Sequence, residues 1–298
     1  MNLDYYFDDF INYLKAEKDV SHYTVDNYTC DFKQFLNFLR VNGIQPRLNT
    51  VSTPIIRRYL AHLKTEKNYA VETIRRRVHC LSSYFKFLLE QEYLIKNPMA
   101  AIHAPRSPET IPKFLSMDEI QLLLEMPEKH SPDNALRNLC MLESFLMTGV
   151  RRQELLDLNW DDIDFGEKTI TVRKGKGKKQ RVIPITEPLI SHLWKYLQSR
   201  LPLTNHALFI SANGGRLSCT PLEQTFRLYM KKSGLDKKGY TLHTLRHTYA
   251  SHLALNGASI LSIQKLLGHS DLNSTQIYAH INTDHLRSEV EKLPLVIK

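Results

Sequence analysis

At 298 residues the chain is long for one hydrophobic core and comfortable for two compact domains. A hydrophobic content of 42% with 24% charged residues excludes a disordered or fibrous chain, and no apolar run approaches the roughly 20 residues of a membrane span. Forty Lys and Arg against 31 Asp and Glu leave a formal net charge of +9, which fits a polyanionic partner, although a merely basic enzyme would carry the same balance.

Asp4, Asp8 and Asp9 near the start are acidic where a signal peptide is basic, so the expected compartment is the cytoplasm. A first helix runs through Phe7, Phe10, Ile11 and Leu14. In the second, Val25, Tyr28, Phe32, Phe35, Leu36 and Leu39 recur at spacings of three and four behind a Ser21 N-cap. Thr53-Pro54 opens a third through Ile55, Ile56, Tyr59, Leu60 and Leu63. The cleanest stripe, Val71, Ile74, Val78, Leu81, Phe85 and Leu88, makes a fourth. Arg57, Arg58, Arg75, Arg76 and Arg77 fall on the polar side of these last two helices, as a solvated face or as a surface laid along phosphates.

From Asn97 the periodicity stops, and Pro98, Pro105, Pro108 and Pro112 follow. Proline cannot continue a helix, so residues 104–113 read as a linker between domains at 1–103 and 114–298. Beyond it, Ser116 caps a helix through Ile120, Leu123 and Leu124, and Leu136 to Met147 carries another. Thr169–Val172 and Arg181–Pro184 read as paired strands around a Gly- and Lys-rich turn. Helical patterns then cover about 187–200, 220–233, 241–256, 259–268 and 274–291, with Gly257 and Gly268 as C-terminal caps. The fold class is therefore mainly α with a small antiparallel sheet. Cys30, Cys80, Cys140 and Cys219 lie dozens of residues apart, with neither metal-ligand nor disulfide-framework spacing.

Four short segments carry candidate chemistry. In Thr148-Gly149-Val150-Arg151-Arg152-Gln153-Glu154, Gly149 permits a sharp helix exit, Arg151 offers a bidentate phosphate fork, and Glu154 reaches back to hold it; a surface Arg–Glu pair is the blander reading. The turn Lys174-Gly175-Lys176-Gly177-Lys178-Lys179-Gln180-Arg181 carries no acidic residue and is either a solvated basic loop or a loop pressed against an anion. In Thr241-Leu242-His243-Thr244-Leu245-Arg246-His247, His243 and Arg246 share one face of a first helical turn, where the dipole favours an anion. His243 and His247 are also spaced as metal ligands, but no Glu follows the first His and no third ligand is evident, so no metal is expected. Finally, His269 follows the Gly268 cap, and Tyr278 falls on the next short helix.

The set and order of these segments resemble the tyrosine site-specific recombinases of the phage integrase family. The resemblance rests on TGVR, GKGKKQR, HTLRH and LGHSDLNSTQIYAH, extends to SHYTVDNYTCDF in the first domain, and in layout is closest to the Xer-type branch. Arg152-Gln153 departs from it, since the family more often carries an aliphatic residue and a serine there. The resemblance implies a SAM-like helical core-binding domain and an α+β catalytic domain clamping DNA. It implies cleavage and rejoining through a 3′-phosphotyrosine at Tyr278, without metal, ATP or other cofactor. Arg151 and Arg246 would hold the phosphate, with His269 as a further donor; Lys176 would protonate the leaving 5′-oxygen, and His243 would accept the tyrosine proton. Glu154 would support Arg151 or His243. Arg57, Arg58, Arg75, Arg76, Arg77, Lys174, Lys178, Lys179 and Arg181 are candidate DNA contacts.

The family further implies a homotetramer or heterotetramer on two duplex sites, with the tail of Leu286, Val290, Leu293 and Leu295 docked on a neighbour. Its tasks include resolving chromosome or plasmid dimers and integrating or excising a mobile element; a second recombinase or a DNA translocase is a further expected partner. A topoisomerase of the same chemistry, a non-catalytic DNA-binding protein and a His243/His247 metal nuclease are the rival readings.

Overall fold

In the computed structural model the described residues are 2–106, 112–173, 180–269 and 273–278. The chain divides into two compact units, Met1–Glu109 and Thr110–Lys298.

Four helices build the first unit: α1 (Phe7–Ala16), α2 (His22–Val41), α3 (Thr53–Thr65) and α4 (Val71–Glu90). Ser21 caps α2 by accepting from the Thr24 N–H at 3.3 Å, which satisfies one of the donors a helix start leaves open. The apolar stripes converge on an aromatic core in which Phe7 stacks on Phe32 at 3.9 Å and Tyr84 meets Phe32 edge-on at 4.8 Å. Tyr84 carries its hydroxyl into this core and donates it to the Leu3 carbonyl.

The five arginines of the polar stripe do not share one environment. Arg57 and Arg58 are exposed, as a phosphate-facing surface requires. Arg75 is half-buried, pairs with Glu72 and donates to the Pro105 carbonyl. Arg76 binds buried Asp31 at 2.5 Å. Arg77 corrects the expectation of a DNA contact: it is 3% exposed, donates to Gln34, faces Asp31 at 3.4 Å, and lies 4.2 Å over the Tyr69 ring. A guanidinium committed to a buried carboxylate and an aromatic face is unavailable to a phosphate.

The second unit opens with α5 (Met117–His130), whose Ser116 and Glu119 form a reciprocal capping box. Next come α6 (Ala135–Thr148) and the short α7 (Arg152–Asp157). Strands β1 (Ile163–Asp164), β2 (Thr169–Val172) and β3 (Arg181–Pro184) form one antiparallel sheet in chain order. Ile170 pairs with Ile183 on the buried face, and Val172 pairs with Arg181 where the hairpin opens. The remaining helices are α8 (Glu187–Ser199), α9 (Cys219–Lys232), α10 (Leu242–Leu255), α11 (Ile260–Leu267) and the single turn α12 (Asn273–Gln276).

Helix α6 is the axis of this unit, packed against α5, α8 and α10. Its residues from Cys140 to Leu146 are all buried, Glu143 and Ser144 among them, so it is enclosed on every side rather than along one stripe. Strand pairing and the α10 and α11 bounds match the periodic reading closely. Tyr278 does not sit on a helix as expected: α12 stops at Gln276, and the Tyr278 N–H closes a turn onto the Thr275 carbonyl at 3.0 Å. The expected continuation of that helix and the apolar tail from Leu286 to Leu295 lie outside the described residues.

Replacing Arg77 by Met leaves Asp31 short of one buried partner and should cost about 3 kcal/mol, whereas Arg57→Ala should stay within about 0.5 kcal/mol. Urea unfolding of both variants against the parent chain checks the contrast; equal effects would return Arg77 to the surface.

Candidate active site

The site is assembled where α6, α7, α10 and α11 end or begin. Thr148 closes α6, and Gly149 turns the chain at φ 60°, where a side chain is strained. Space forbids one as well: a Cβ there would meet Tyr249 Cδ1 at 2.4 Å and Leu267 Cδ2 at 2.9 Å. The tight turn delivers Arg151 to the N-cap of α7. Its Nη1 donates to Glu154 Oε1 at 2.7 Å, its backbone N–H donates to Oε2 at 2.8 Å, and its Nη2 donates to the Gly268 carbonyl at 3.1 Å.

Glu154 is buried, and Arg181 on β3 supplies its other partners. Arg181 Nη1 and Nη2 donate to the two carboxylate oxygens at 3.0 and 2.7 Å, and its Nε donates to the Leu266 carbonyl at 2.9 Å. Burial alone would raise the Glu154 carboxyl, but the bonds from Arg181 and Arg151 outweigh it and hold the group at about 2. Arg181 thus departs from the DNA contact expected of it. With its side chain 10% exposed and all three donor positions occupied, it is a structural tie between β3, α7 and α11.

Arg246 is 2% exposed on α10. Its Nη1 donates to the Gly149 carbonyl at 2.6 Å and its Nη2 to the Leu267 carbonyl at 2.7 Å, at the open C-terminal ends of α6 and α11. Burial, then Arg151, push its pKa down to about 9, which leaves it a cation at neutral pH. His243, one turn earlier, keeps an edge open to solvent; desolvation and the charges of Arg246 and Arg151 lower its pKa. His269 bonds Thr275 Oγ1 through Nδ1 at 2.8 Å, and burial with Arg246 and Arg151 holds it at about 4. Arg151, Arg246, His243 and His269 therefore act on one another within a single patch.

Tyr278 lies against this patch, 1% exposed, in the small cluster of Ala250, Ala254, Ile263 and Leu267. Burial pushes its phenol up to about 12. Its hydroxyl is 2.7 Å from His247 Nδ1. Burial, then His243 and Arg246, hold that imidazole at about 4, so it is neutral at physiological pH. The phenol keeps its proton, and in the tautomer that carries the imidazole proton on Nε2 it donates to Nδ1. Sequence reasoning gave the phenol's proton to His243 and treated His247 only as a metal ligand. The structure places His247 on the phenol, with the two imidazole rings 4.6 Å apart and perpendicular. The i, i+4 spacing was the available signal, but it names a shared face and not what that face meets. Lys174, Lys176, Lys178 and Lys179 lie outside the described residues. No group of three or more candidate metal-ligating side chains occurs among the described residues.

Residues 113–285 match the family model described as the phage integrase family, and residues 7–92 match the phage integrase N-terminal SAM-like domain. A tyrosine recombinase XerC of Thermodesulfovibrio yellowstonii is 34% identical, with 98% of this chain and 96% of the relative covered. A tyrosine recombinase XerD of Staphylococcus epidermidis is 31% identical, over 94% and 95%. The fold is shared with a XerH site-specific recombinase crystallised on difH in a post-cleavage complex, at a TM-score of 0.76 and 21% identity, over 90% of this chain and 79% of that one.

Fold and site together define a tyrosine recombinase of the Xer type, an enzyme that cleaves and rejoins DNA. The chain belongs to the phage integrase family.

The half-buried histidines His247 and His269 set an acid limit on the site. Their folded pKa values lie below the ordinary 6.5, so the unfolded chain takes up protons first, and stability is lost as pH falls from about 6.5 toward 4. Glu154 stays ionised through that window because its own loss begins only near 2. Thermal melts at pH 7, 5.5 and 4.5 should show a falling Tm that flattens in the double variant His247→Asn, His269→Asn. Equal acid sensitivity in both proteins would remove the histidines as its cause.

Proposed function

We propose that Tyr278 is the nucleophile of site-specific strand exchange and that Arg151 and Arg246 grip the scissile phosphate. The observation that carries this is the placement of a proton-bearing phenol against a patch of two guanidinium and two imidazole groups, in which burial first and the charges of Arg246 and Arg151 second lower the pKa of both imidazoles. An anion is the ligand such a patch lacks, and a phosphodiester is an anion that a phenol can attack.

In this reading Tyr278 Oη bonds to phosphorus, the bond to the 5′-oxygen breaks, and the product is a 3′-phosphotyrosine with a free 5′-hydroxyl. Bond energy stays in the covalent link, so rejoining runs without ATP. Arg151 and Arg246 stabilise charge on the non-bridging oxygens, as preorganised cations held by Glu154, Gly268, Gly149 and Leu267 before substrate arrives. His269 and His243 donate to the same oxygens, and Lys176 protonates the departing 5′-oxygen. Two fixed guanidinium charges supply what a metal ion supplies at other phosphoryl-transfer sites.

The substrate is a duplex recombination site bound with steep salt dependence, as the charge of +9 favours. Arg57 and Arg58 of the first unit and Lys174, Lys178 and Lys179 contribute phosphate contacts. Four copies, alike or mixed with a second recombinase, act on two sites in the cytoplasm. Near full-length similarity to proteins named tyrosine recombinase XerC and XerD supports site-specific recombination, whose task is the resolution of chromosome or plasmid dimers or the integration and excision of a mobile element.

The test uses nicked duplexes carrying candidate sites, in EDTA and without ATP, so that the short 5′-hydroxyl fragment diffuses away and the adduct accumulates. A protein–DNA adduct surviving denaturing electrophoresis is expected, and it should vanish in Tyr278→Phe while specific DNA binding persists. Cleavage that appears only with magnesium would overturn the mechanism.

A further inference from the structure

Within the assignment of Tyr278 as nucleophile, on which this step rests, the structure leaves a specific question of proton transfer. A phenol attacks phosphorus well only as its proton departs, and the acceptor must touch the hydroxyl and carry a free lone pair. Among the described residues one side chain meets both conditions, in its Nε2-protonated tautomer. His247 Nδ1 lies 2.7 Å from Tyr278 Oη, within the range of a direct proton transfer. Among the described residues no hydrogen bond joins His243 to that hydroxyl, and Arg246, a cation with donors only, has no lone pair to accept the proton.

We infer that His247 is the general base for Tyr278, a catalytic residue that takes the phenolic proton onto Nδ1 during cleavage and returns it during rejoining. As Oη bonds to phosphorus, the phenolic proton moves to Nδ1 and leaves an imidazolium. The electron pair of the broken P–O bond goes to the 5′-oxygen, which takes a proton from the acid assigned to Lys176. In the reverse direction the 5′-hydroxyl attacks, the tyrosyl oxygen leaves, and His247 hands its proton back, so protons and charge balance over the cycle.

The division of labour along α10 follows from helical spacing. Arg246 points into the carbonyl ends of α6 and α11, His243 stays at the solvent edge near Arg151 and Arg246, and His247, one turn beyond His243, reaches the phenol. The titratable and charged groups facing His247 are His243 and Arg246 from its own helix and Tyr278 from the turn after α12. Burial first, and then the neighbouring His243 and Arg246, favour a neutral imidazole before the step, which keeps the acceptor lone pair open.

The test is single-turnover adduct formation on the nicked duplex by the full chain, comparing the parent with His247→Asn. Asparagine places a hydrogen-bonding atom near the position of Nδ1 but cannot accept the proton. The variant should bind DNA as the parent does, form adduct at least about 100-fold more slowly at pH 7, and gain about tenfold in rate per pH unit as solution base replaces the histidine. The parent should be nearly flat between pH 6 and 8. As a second variant, His247→Ala should regain rate with imidazole in the buffer, which a merely structural role would not permit. A His247→Asn rate within twofold of the parent, a loss that does not change with pH, or transfer of the pH-dependent loss to His243→Asn would each overturn the inference. A parent chain that forms no adduct on any site would instead overturn the assignment of Tyr278, so the two failures are distinct.

Discussion

Glu154 is the constraint on which the site depends. Its carboxylate is nearly sealed from water and accepts from the backbone and guanidinium of Arg151 and from two nitrogens of Arg181. Burying a carboxylate is costly unless its lone pairs are filled, and here four donors fill them. In return, the two arginines are held in place against their mutual repulsion. Because Arg181 belongs to β3 and also ties to Leu266, one carboxylate sets the spacing between the hairpin base, the start of α7 and the end of α11. Arg246 completes the frame from the other side by binding carbonyls at the ends of α6 and α11. These anchors exist before any substrate binds, so the cost of ordering the guanidinium groups is met in folding rather than in catalysis.

How much of this was legible in the sequence differs by kind of information. Periodicity located the four helices of the first unit, because a stripe at spacings of three and four has one physical interpretation. Short signals such as Ser116 before Ile120, or Gly268 after Leu267, located helix ends for the same reason. Glu154 was legible as a partner of Arg151 because the two are three residues apart. Its second partner, Arg181, was not, because a contact 27 residues away leaves no local trace.

The misread arginines share one cause. Composition counts Arg77 and Arg181 as positive charge available to phosphates, yet each is committed to a buried acid, Asp31 or Glu154. A long basic side chain is free to act on a partner only if the fold has not already used it, and the using groups are tertiary neighbours. Arg57 passes that test, Arg58 spends one donor on Asn42, and Arg77 fails it, set at the margin of the apolar stripe three residues after Ile74 and four before Leu81. His247 shows the complementary error. Its spacing from His243 suggested a shared ligand, whereas Tyr278, 31 residues downstream, defines what it meets.

The same reasoning explains why a phenol, a weak acid with an ordinary pKa of about 10, suits this site. Burial pushes Tyr278 further from ionisation, to about 12, and so keeps it protonated and unreactive toward stray electrophiles. Reactivity then requires two events together: an anion that satisfies Arg151 and Arg246, and a base that removes the proton as the bond forms. A histidine held near 4 is a weak base in its resting surroundings. Burial weakens it most, and the Arg246 charge that adds to the effect is one a bound phosphate would neutralise. Arrival of the phosphate therefore raises the basicity of the imidazole at the moment it supplies the electrophile, and the site couples proton removal to substrate occupancy through electrostatics alone.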